Sequence, residues 1–133
     1  CPEIEEKYLS LLQRAVPAIA LPSFTVLNTA FCNDVEPELV FAQCLMGLGK
    51  KDDVLLCIST SGNSKNVLAA TLTAKALGIK TIGLTGKTGG KLKSICDICI
   101  CVPETETFKV QELHLPVYHY LCARVEEKIF IGE

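Results

Sequence analysis

Four short runs of apolar residues alternate with longer segments of helical periodicity along the chain. The runs are continuous rather than alternating between apolar and polar positions, which is typical of strands buried on both faces of a parallel sheet. They predict strands at residues 17–21 (PAIAL), 54–58 (VLLCI), 80–85 (KTIGLT) and 97–102 (DICICV).

Three helices are predicted between and after these runs. The first covers residues 37–49 and extends from a proline at its first position to a closing glycine. The second covers residues 63–78 after an Asn/Ser cap, and the third covers residues 109–131. Strands that alternate with helices indicate an α/β fold, a three-layer αβα sandwich around a parallel sheet. A chain of this length predicts a single domain over residues 1–133.

Composition and charge bear on whether the protein crosses a membrane or binds nucleic acid. Hydrophobic residues make up 49% of the chain. Charged residues, glycine and proline nevertheless interrupt every apolar run before it reaches the roughly 18 residues of a membrane span. A formal net charge of -2 gives no electrostatic reason to expect nucleic acid as a partner. We therefore expect neither a membrane nor a nucleic-acid partner.

The eight cysteines could form a disulfide scaffold, a metal site or part of a reduced core. Most of them lie within apolar runs, where free cysteine behaves as a small hydrophobic residue. The cluster CDICIC lacks the second CxxC pair that would complete a tetrahedral zinc site. Core cysteines in a reducing cytoplasm are the favoured interpretation.

The segment ISTSGNS surrounds one glycine with four hydroxyl side chains, between a predicted strand and a predicted helix. Ligands of such sheets bind at the carboxyl ends of strands, near helix N-termini whose backbone N–H groups lack internal partners. Hydroxyl donors and the close backbone approach that Gly62 permits suit a phosphate monoester. The alternative is an ordinary Ser/Asn helix cap, which needs only one of these side chains. The four hydroxyls belong to Ser59, Thr60, Ser61 and Ser64.

A second loop, GLTGKTGGK at residues 83–91, contains the sequence GKT after a strand and so suggests a P-loop. Thr81 stands where that motif requires its first glycine, and a glycine pair rather than a helix follows Thr88. We expect instead a glycine-rich loop beside the hydroxyl-rich segment, where it holds the organic part of the phosphate ester or shapes a subunit contact.

The last predicted helix carries Gln111, His114 and His119. His119 follows Gln111 by eight residues, which corresponds to roughly 80° around the helix and about 12 Å along it. A packed or surface imidazole is the ordinary interpretation of either histidine taken alone. Pro116 lies between the histidines and either kinks the helix or marks the start of its regular part.

Several ordered motifs together resemble the sugar isomerase (SIS) family, and within it the phosphoheptose isomerases. They are ISTSGNSKNV, LTGKTGGK, and VP followed by VQELH with a histidine eight residues after Gln111. The resemblance covers roughly residues 3–127 and implies an SIS-type, flavodoxin-like fold. It also implies that the family's upstream helix, first strand and glycine-serine loop lie outside these 133 residues.

The resemblance implies an isomerase that converts sedoheptulose 7-phosphate to D-glycero-D-manno-heptose 7-phosphate. Such an enzyme serves bacterial heptose and lipopolysaccharide synthesis, and the family assembles as homotetramers in the cytoplasm. The family's phosphate-binding residues correspond here to Ser59, Thr60, Ser61 and Ser64, and its Asn-Asp pair near the substrate corresponds to Asn33 and Asp34.

The same resemblance implies the catalytic groups. Glu3 would act as the base and His119 as its acid/base partner, and Glu3, Gln111 and His119 would bind zinc. This set is one ligand short of the usual four protein ligands of a closed zinc site, although water can complete a catalytic site. Two alternatives remain open: an isomerase of another phosphosugar, and a non-catalytic SIS adaptor or regulator. The latter would bind a sugar phosphate or a protein such as a replication initiator.

Overall fold

A computed structural model describes residues 4–132 and contains a parallel sheet flanked by helices. The strands are β1 (Val54–Ser59), β2 (Lys80–Thr85) and β3 (Ile98–Cys101). The α-helices are α1 (Glu6–Leu9), α2 (Thr25–Asp34), α3 (Val40–Leu48), α4 (Lys65–Ala76), α5 (Leu92–Ile95) and α6 (Thr107–Glu126). Short 3-10 turns occupy Leu21–Ser23 and Pro37–Leu39, and a π-helical turn occupies Glu127–Ile131.

The sheet has the order β1-β2-β3, and both strand pairs are parallel. Ser59, Thr85 and Cys101 share one register row, so the carboxyl ends of the strands lie along one edge of the sheet. Because parallel strands need a crossover connection, α4 links β1 to β2 and packs on both of them. The last three of the four strands that the sequence predicts are confirmed, and the bounds of β2 match the prediction residue for residue.

The hydrophobic core lies between the sheet, α3 and α4. Its buried members are Leu45 of α3, Ala74 of α4 and Ile79, which leads into β2, and all three are at most 6% exposed. Leu21, Leu55 and Leu77 pack against this group. Burial of such side chains contributes about 25 cal/mol for each Å² of apolar surface removed from water. The core therefore fixes α4 against the strand that it follows.

The two faces of β1 differ in burial. Cys57 and Ser59 are buried, and the Cys57 thiol lies 3.1 Å from the hydroxyl of Thr71 on α4. Val54 and Ile58 point to the opposite face and are 61% and 48% exposed. The sequence predicts strands buried on both faces, and this prediction is wrong for β1 among the described residues. Since α6 packs on β2 rather than on β1, this face of β1 stays open.

The predicted strand at residues 17–21 is wrong. Residues 12–20 have no regular secondary structure, and Leu21 begins a 3-10 turn. A strand exists only when its N–H and C=O groups pair with a neighbouring strand. Pro17 and Pro22 bracket this segment and supply no N–H group, so the apolar run has a poor hydrogen-bonding edge.

The last helix continues through Pro116, which therefore marks neither its start nor its end. No helix within residues 4–132 has the length and the apolar character that a membrane crossing requires.

Candidate functional site

The hydroxyl turn, residues 59–64, connects the end of β1 to the start of α4. The Ser59 and Ser64 hydroxyls are hydrogen-bonded to each other at 2.9 Å. The Ser61 hydroxyl accepts a hydrogen bond from the Asn63 N–H group at 3.1 Å. A hydroxyl that serves as an acceptor keeps its own hydrogen to donate. The turn therefore presents a hydroxyl donor at its tip and one more from the Ser59–Ser64 pair, in which one of the two hydroxyl hydrogens is used.

The start of α4 is not capped by its own serine. Ser64 occupies the N-cap position, yet its side chain makes no capping hydrogen bond because it bonds Ser59 instead. The first N–H groups of a helix have no partner within the helix, and they carry positive partial charge. The ordinary-cap interpretation of this segment is therefore wrong for Ser64. This helix end retains the capacity to bind an anion.

The glycine loop, residues 86–91, lies directly against the hydroxyl turn. Gly62 has a φ of +66°, and a Cβ atom at this position would lie 2.0 Å from the Gly89 carbonyl oxygen. The Leu92 N–H donates to the Gly62 carbonyl at 3.1 Å, and the Lys91 N–H donates to the Asn63 Oδ1 atom at 3.0 Å. The expected contact between the two loops is confirmed. The loop leads into the four-residue α5 rather than into a long P-loop helix.

A third loop, residues 102–106, connects β3 to α6 and brings the start of α6 beside the hydroxyl turn. The Gly86 N–H donates to the Thr60 carbonyl at 3.0 Å, and the Lys87 N–H donates to the Glu104 carbonyl at 2.8 Å. Val110 on the first turn of α6 contacts Gly86, where its Cγ2 atom would lie 3.1 Å from an added Cβ. These contacts place the first turn of α6 beside Gly86, whose N–H is bonded to the hydroxyl turn.

The polar residues of α6 have different environments. Gln111 and His119 are exposed, and the His119 ring packs edge-on against Tyr118 with 5.0 Å between ring centroids. His114 is only 3% exposed, and its Nε2 atom is buried without a hydrogen-bond partner among the described residues. His114 is thus packed inside the protein, whereas His119 lies at the surface. Gln111 and His119 lie eight positions apart on α6 and make no hydrogen bond to each other among the described residues.

Asn33 and Asp34 form the end of α2 and are exposed. The 3-10 turn that follows them, Pro37–Leu39, packs against α4. They therefore lie near the helix that starts at the hydroxyl turn, but make no hydrogen bond to that turn among the described residues. Glu3, the predicted base, lies outside residues 4–132.

A cleft of about 290 Å³ adjoins the first turn of α4 and has a charged lining. Lys65, the first residue of α4, forms an ion pair with Glu38, whose hydrogen bond raises the pKa of the lysine. Sequence reasoning missed this pair because the two residues are 27 positions apart. A larger depression of about 700 Å³ runs beside α2, but its lining is mostly apolar and carries no charged group. We therefore place the site at the hydroxyl turn.

The cysteines of the sheet form a packed thiol group. Cys57, Gly83 and Cys99 share one register row, and the thiols of Cys96 and Cys99 fill the space beside the glycine. Burial raises the pKa of Cys96 to about 11, so this cysteine is a neutral thiol at physiological pH. No group of three or more His, Cys, Asp or Glu side chains that could hold a metal ion occurs within residues 4–132. The thiols of Cys96 and Cys99 pack beside Gly83 as small apolar groups.

Comparison with protein families agrees with the motifs. The SIS domain family matches residues 24–123. The phosphoheptose isomerase of a Nitratiruptor species is 50% identical over 115 residues, which cover 86% of this chain and 62% of the relative. The phosphoheptose isomerase of Rhodospirillum rubrum is 43% identical over 128 residues, which cover 96% of this chain and 67% of the relative. Similarity thus extends over most of the chain.

Solved structures show the same architecture. A phosphoheptose isomerase from Francisella tularensis superimposes with a TM-score of 0.81 at 39% identity, covering 84% of this chain and 60% of that structure. The phosphoheptose isomerase of Neisseria gonorrhoeae gives a TM-score of 0.79 at 37% identity, covering 82% and 61%. The chain spans about three-fifths of the length of these structures.

Proposed function

Because the chain belongs to the SIS domain family, we propose that the protein is an isomerase that interconverts sedoheptulose 7-phosphate and D-glycero-D-manno-heptose 7-phosphate. One observation carries the proposal. The hydroxyl turn lies at the carboxyl end of a parallel strand, and the serine at the helix N-cap does not cap α4. The Val67 N–H donates to the Asn66 Oδ1 atom, so the N–H groups of Lys65 and Asn66 are the ones left open to a ligand among the described residues. Relatives that carry the name phosphoheptose isomerase match the chain on both sides of this turn.

The turn would bind the phosphate group of the sugar. A phosphate monoester carries two negative charges near neutral pH, and its oxygens accept several hydrogen bonds. Hydroxyls of Ser59, Thr60, Ser61 and Ser64 and the N–H groups at the start of α4 would supply the donors. The phosphate lies at the far end of the sugar from the reacting carbons. Its binding energy would therefore hold the substrate without taking part in the proton transfers.

The chemistry requires a proton to move between adjacent carbons. A base removes a proton from C1 of the ketose, which gives an enediol over C1 and C2, and a proton is returned at C2. We assign Glu3 as the base and His119 as its acid/base partner at the sugar oxygens. Gln111 and His119 are exposed on α6 and therefore accessible to a substrate, and Asn33 and Asp34 would approach the sugar hydroxyls.

Zinc bound by Glu3, Gln111 and His119 is the further part of the proposal. When bound, the ion would act as a Lewis acid at a sugar oxygen. The described residues do not complete such a site by themselves. Gln111 and His119 are separated by eight positions on one helix, and no cluster of three ligands occurs within residues 4–132.

A homotetramer in the cytoplasm completes the proposal. The face of the sheet formed by Val54, Ile58 and Ile98 exposes large apolar side chains, as interfaces between subunits do before they assemble. Free thiols in the described chain suit a reducing compartment, where phosphorylated sugars are also made.

The test of the function is a direct assay. The full-length protein is incubated with sedoheptulose 7-phosphate, with and without a chelator, and the products are identified by NMR. We expect a new aldose signal for the manno-heptose phosphate. Binding of the sugar phosphate without turnover would instead identify a non-catalytic SIS regulator, and turnover of a different phosphosugar would identify another isomerase.

A further inference from the structure

We propose that Asn63 is a positioning residue, which latches the glycine loop onto the hydroxyl turn and so preorganises the turn for a phosphate ester. This inference rests on the proposed function, because that function assigns phosphate binding to the turn. Asn63 was not among the predicted site residues.

The Asn63 side chain joins two segments that are 28 residues apart. Its Oδ1 atom accepts the Lys91 N–H at 3.0 Å, and its Nδ2 atom donates to the Ser61 carbonyl oxygen at 3.0 Å. The Asn63 N–H donates to the Ser61 hydroxyl at 3.1 Å. One residue therefore orients both the carbonyl and the hydroxyl of Ser61 while it holds the end of the glycine loop.

The fit between the two segments depends on backbone contact. Gly90 has a φ of +53°, and a Cβ atom there would lie 2.4 Å from the Ser61 carbonyl oxygen. A Cβ atom at Gly62 would likewise lie too close to the Gly89 carbonyl oxygen, at 2.0 Å. Glycine provides this close approach but no side-chain contact of its own. Asn63 supplies the side-chain link between the surfaces, beside the backbone bond from Leu92 to Gly62.

The backbone beside the latch orients the Ser61 hydroxyl. Since the Ser61 oxygen accepts from the Asn63 backbone N–H, its hydroxyl hydrogen is free to donate to a phosphoryl oxygen, and Asn63→Ala keeps this bond. Without the latch, the turn would have to become ordered when the phosphate binds, and that ordering reduces affinity. Asn63 is exposed, so truncating its side chain leaves the core intact.

The experiment compares two variants of the full-length protein. Asn63→Ala removes the latch, whereas Ser94→Ala removes a hydrogen bond of 2.9 Å to the Lys91 carbonyl and does not touch the turn. Calorimetric titration measures affinity for sedoheptulose 7-phosphate and for inorganic phosphate. Amide hydrogen exchange at Lys91 is measured without ligand, and kcat and KM are determined separately.

For Asn63→Ala we expect affinity for both ligands to fall about tenfold, from the loss of two hydrogen bonds of modest net strength. Exchange at Lys91 should be faster and KM should rise, while kcat changes little. Ser94→Ala should behave as the unmodified protein in every measurement. Unchanged phosphate affinity in Asn63→Ala overturns the positioning role, whether or not exchange at Lys91 is faster.

The failure of this inference is distinguishable from failure of the proposed function. If the unmodified protein binds neither inorganic phosphate nor the sugar phosphate, the proposed function is wrong and the positioning role falls with it. If the unmodified protein binds both ligands and Asn63→Ala binds them equally well, the proposed function stands and only the positioning role is wrong.

Discussion

Ser59 at the end of β1 and Ser64 at the start of α4 are hydrogen-bonded through their hydroxyls at 2.9 Å. The bond joins the last residue of a strand to the N-cap of the helix that follows, across a turn whose tip is Gly62. It uses one hydroxyl hydrogen and leaves the other hydroxyl hydrogen free to donate. A serine pair thus closes the turn, and the first two N–H groups of α4, those of Lys65 and Asn66, remain open to a ligand among the described residues.

The hydroxyl turn is tested by removing two of its hydroxyls. Ser61→Ala combined with Ser64→Ala should weaken binding of the sugar phosphate by about 2 to 4 kcal/mol, because two hydrogen bonds to a charged group are lost. The dephosphorylated sugar should bind the variant and the unmodified protein equally. Calorimetry with both sugars makes the measurement, and an unchanged affinity for the phosphorylated sugar would exclude the turn as its site.

Replacement of His119 tests its role in proton transfer. His119 is exposed on α6, so His119→Asn should leave the thermal midpoint of unfolding near its original value. Turnover should fall by roughly 10²-fold or more, which is the usual scale for a lost acid–base group. Steady-state kinetics and thermal unfolding of the same preparation give both values. Retained turnover would remove His119 from the mechanism.

His114 is the matched comparison on the same helix. It is buried and its Nε2 atom has no partner among the described residues, so His114→Asn alters packing between α6 and the sheet. We expect a lower thermal midpoint, with turnover per folded molecule little changed, because a smaller side chain leaves a void. An inactive but stable His114→Asn variant would show that the wrong face of α6 had been assigned to the active site.

Replacement of Gly62 and of Gly47 by alanine should change the stability of the protein in opposite directions. Gly62→Ala forces a Cβ to within 2.0 Å of the Gly89 carbonyl oxygen at a positive φ, so the glycine loop must move. We expect lower stability and weaker phosphate binding. Gly47→Ala on α3 meets nothing within 4 Å and should stabilise the helix by about 0.5 to 1 kcal/mol. Denaturant unfolding of both variants checks the signs, and a stabilised Gly62→Ala would contradict the contact.

Asp97 provides a pH-dependent contribution to stability. Its Oδ2 atom accepts the Thr81 N–H and the Thr81 hydroxyl, both at 2.8 Å, and the N–H bond is the main cause of its lowered pKa. Because the folded-state pKa is below the unfolded value, the stabilisation is present at neutral pH. It is lost as the pH falls through the lowered pKa, below the ordinary value near 4.

Asp97→Asn isolates the charge, since the amide retains an oxygen that can accept from Thr81. Thermal midpoints of the two proteins should differ most near neutral pH and converge as the solution becomes strongly acidic. A difference that grows on acidification would contradict the assignment.

Assembly is tested by light scattering on the full-length protein. We expect a mass of four subunits at micromolar concentration, which is the assembly that the resemblance to the family implies. A monomer under these conditions would contradict the homotetramer.

Local features of the chain were determined by the sequence alone. Continuous apolar runs predicted the positions of β1, β2 and β3, because such runs are typical of strands in a parallel sheet, although one face of β1 is open among the described residues. Turn residues predicted the loop after β1 and the helix that begins at Lys65, because glycine and serine favour those conformations wherever they occur. The same local signal failed at residues 17–21, where an apolar run has no strand to pair with among the described residues.

Only the tertiary structure decided which of these features meet. The latch from Asn63 to Lys91 and the pair of Glu38 with Lys65 join residues 28 and 27 positions apart, and no local pattern specifies such a pairing. Two histidines on one helix became a buried side chain and a surface side chain because α6 packs on β2 along one face only. Burial and long-range hydrogen bonds depend on the arrangement of whole elements in space, whereas propensity depends on neighbours in the chain.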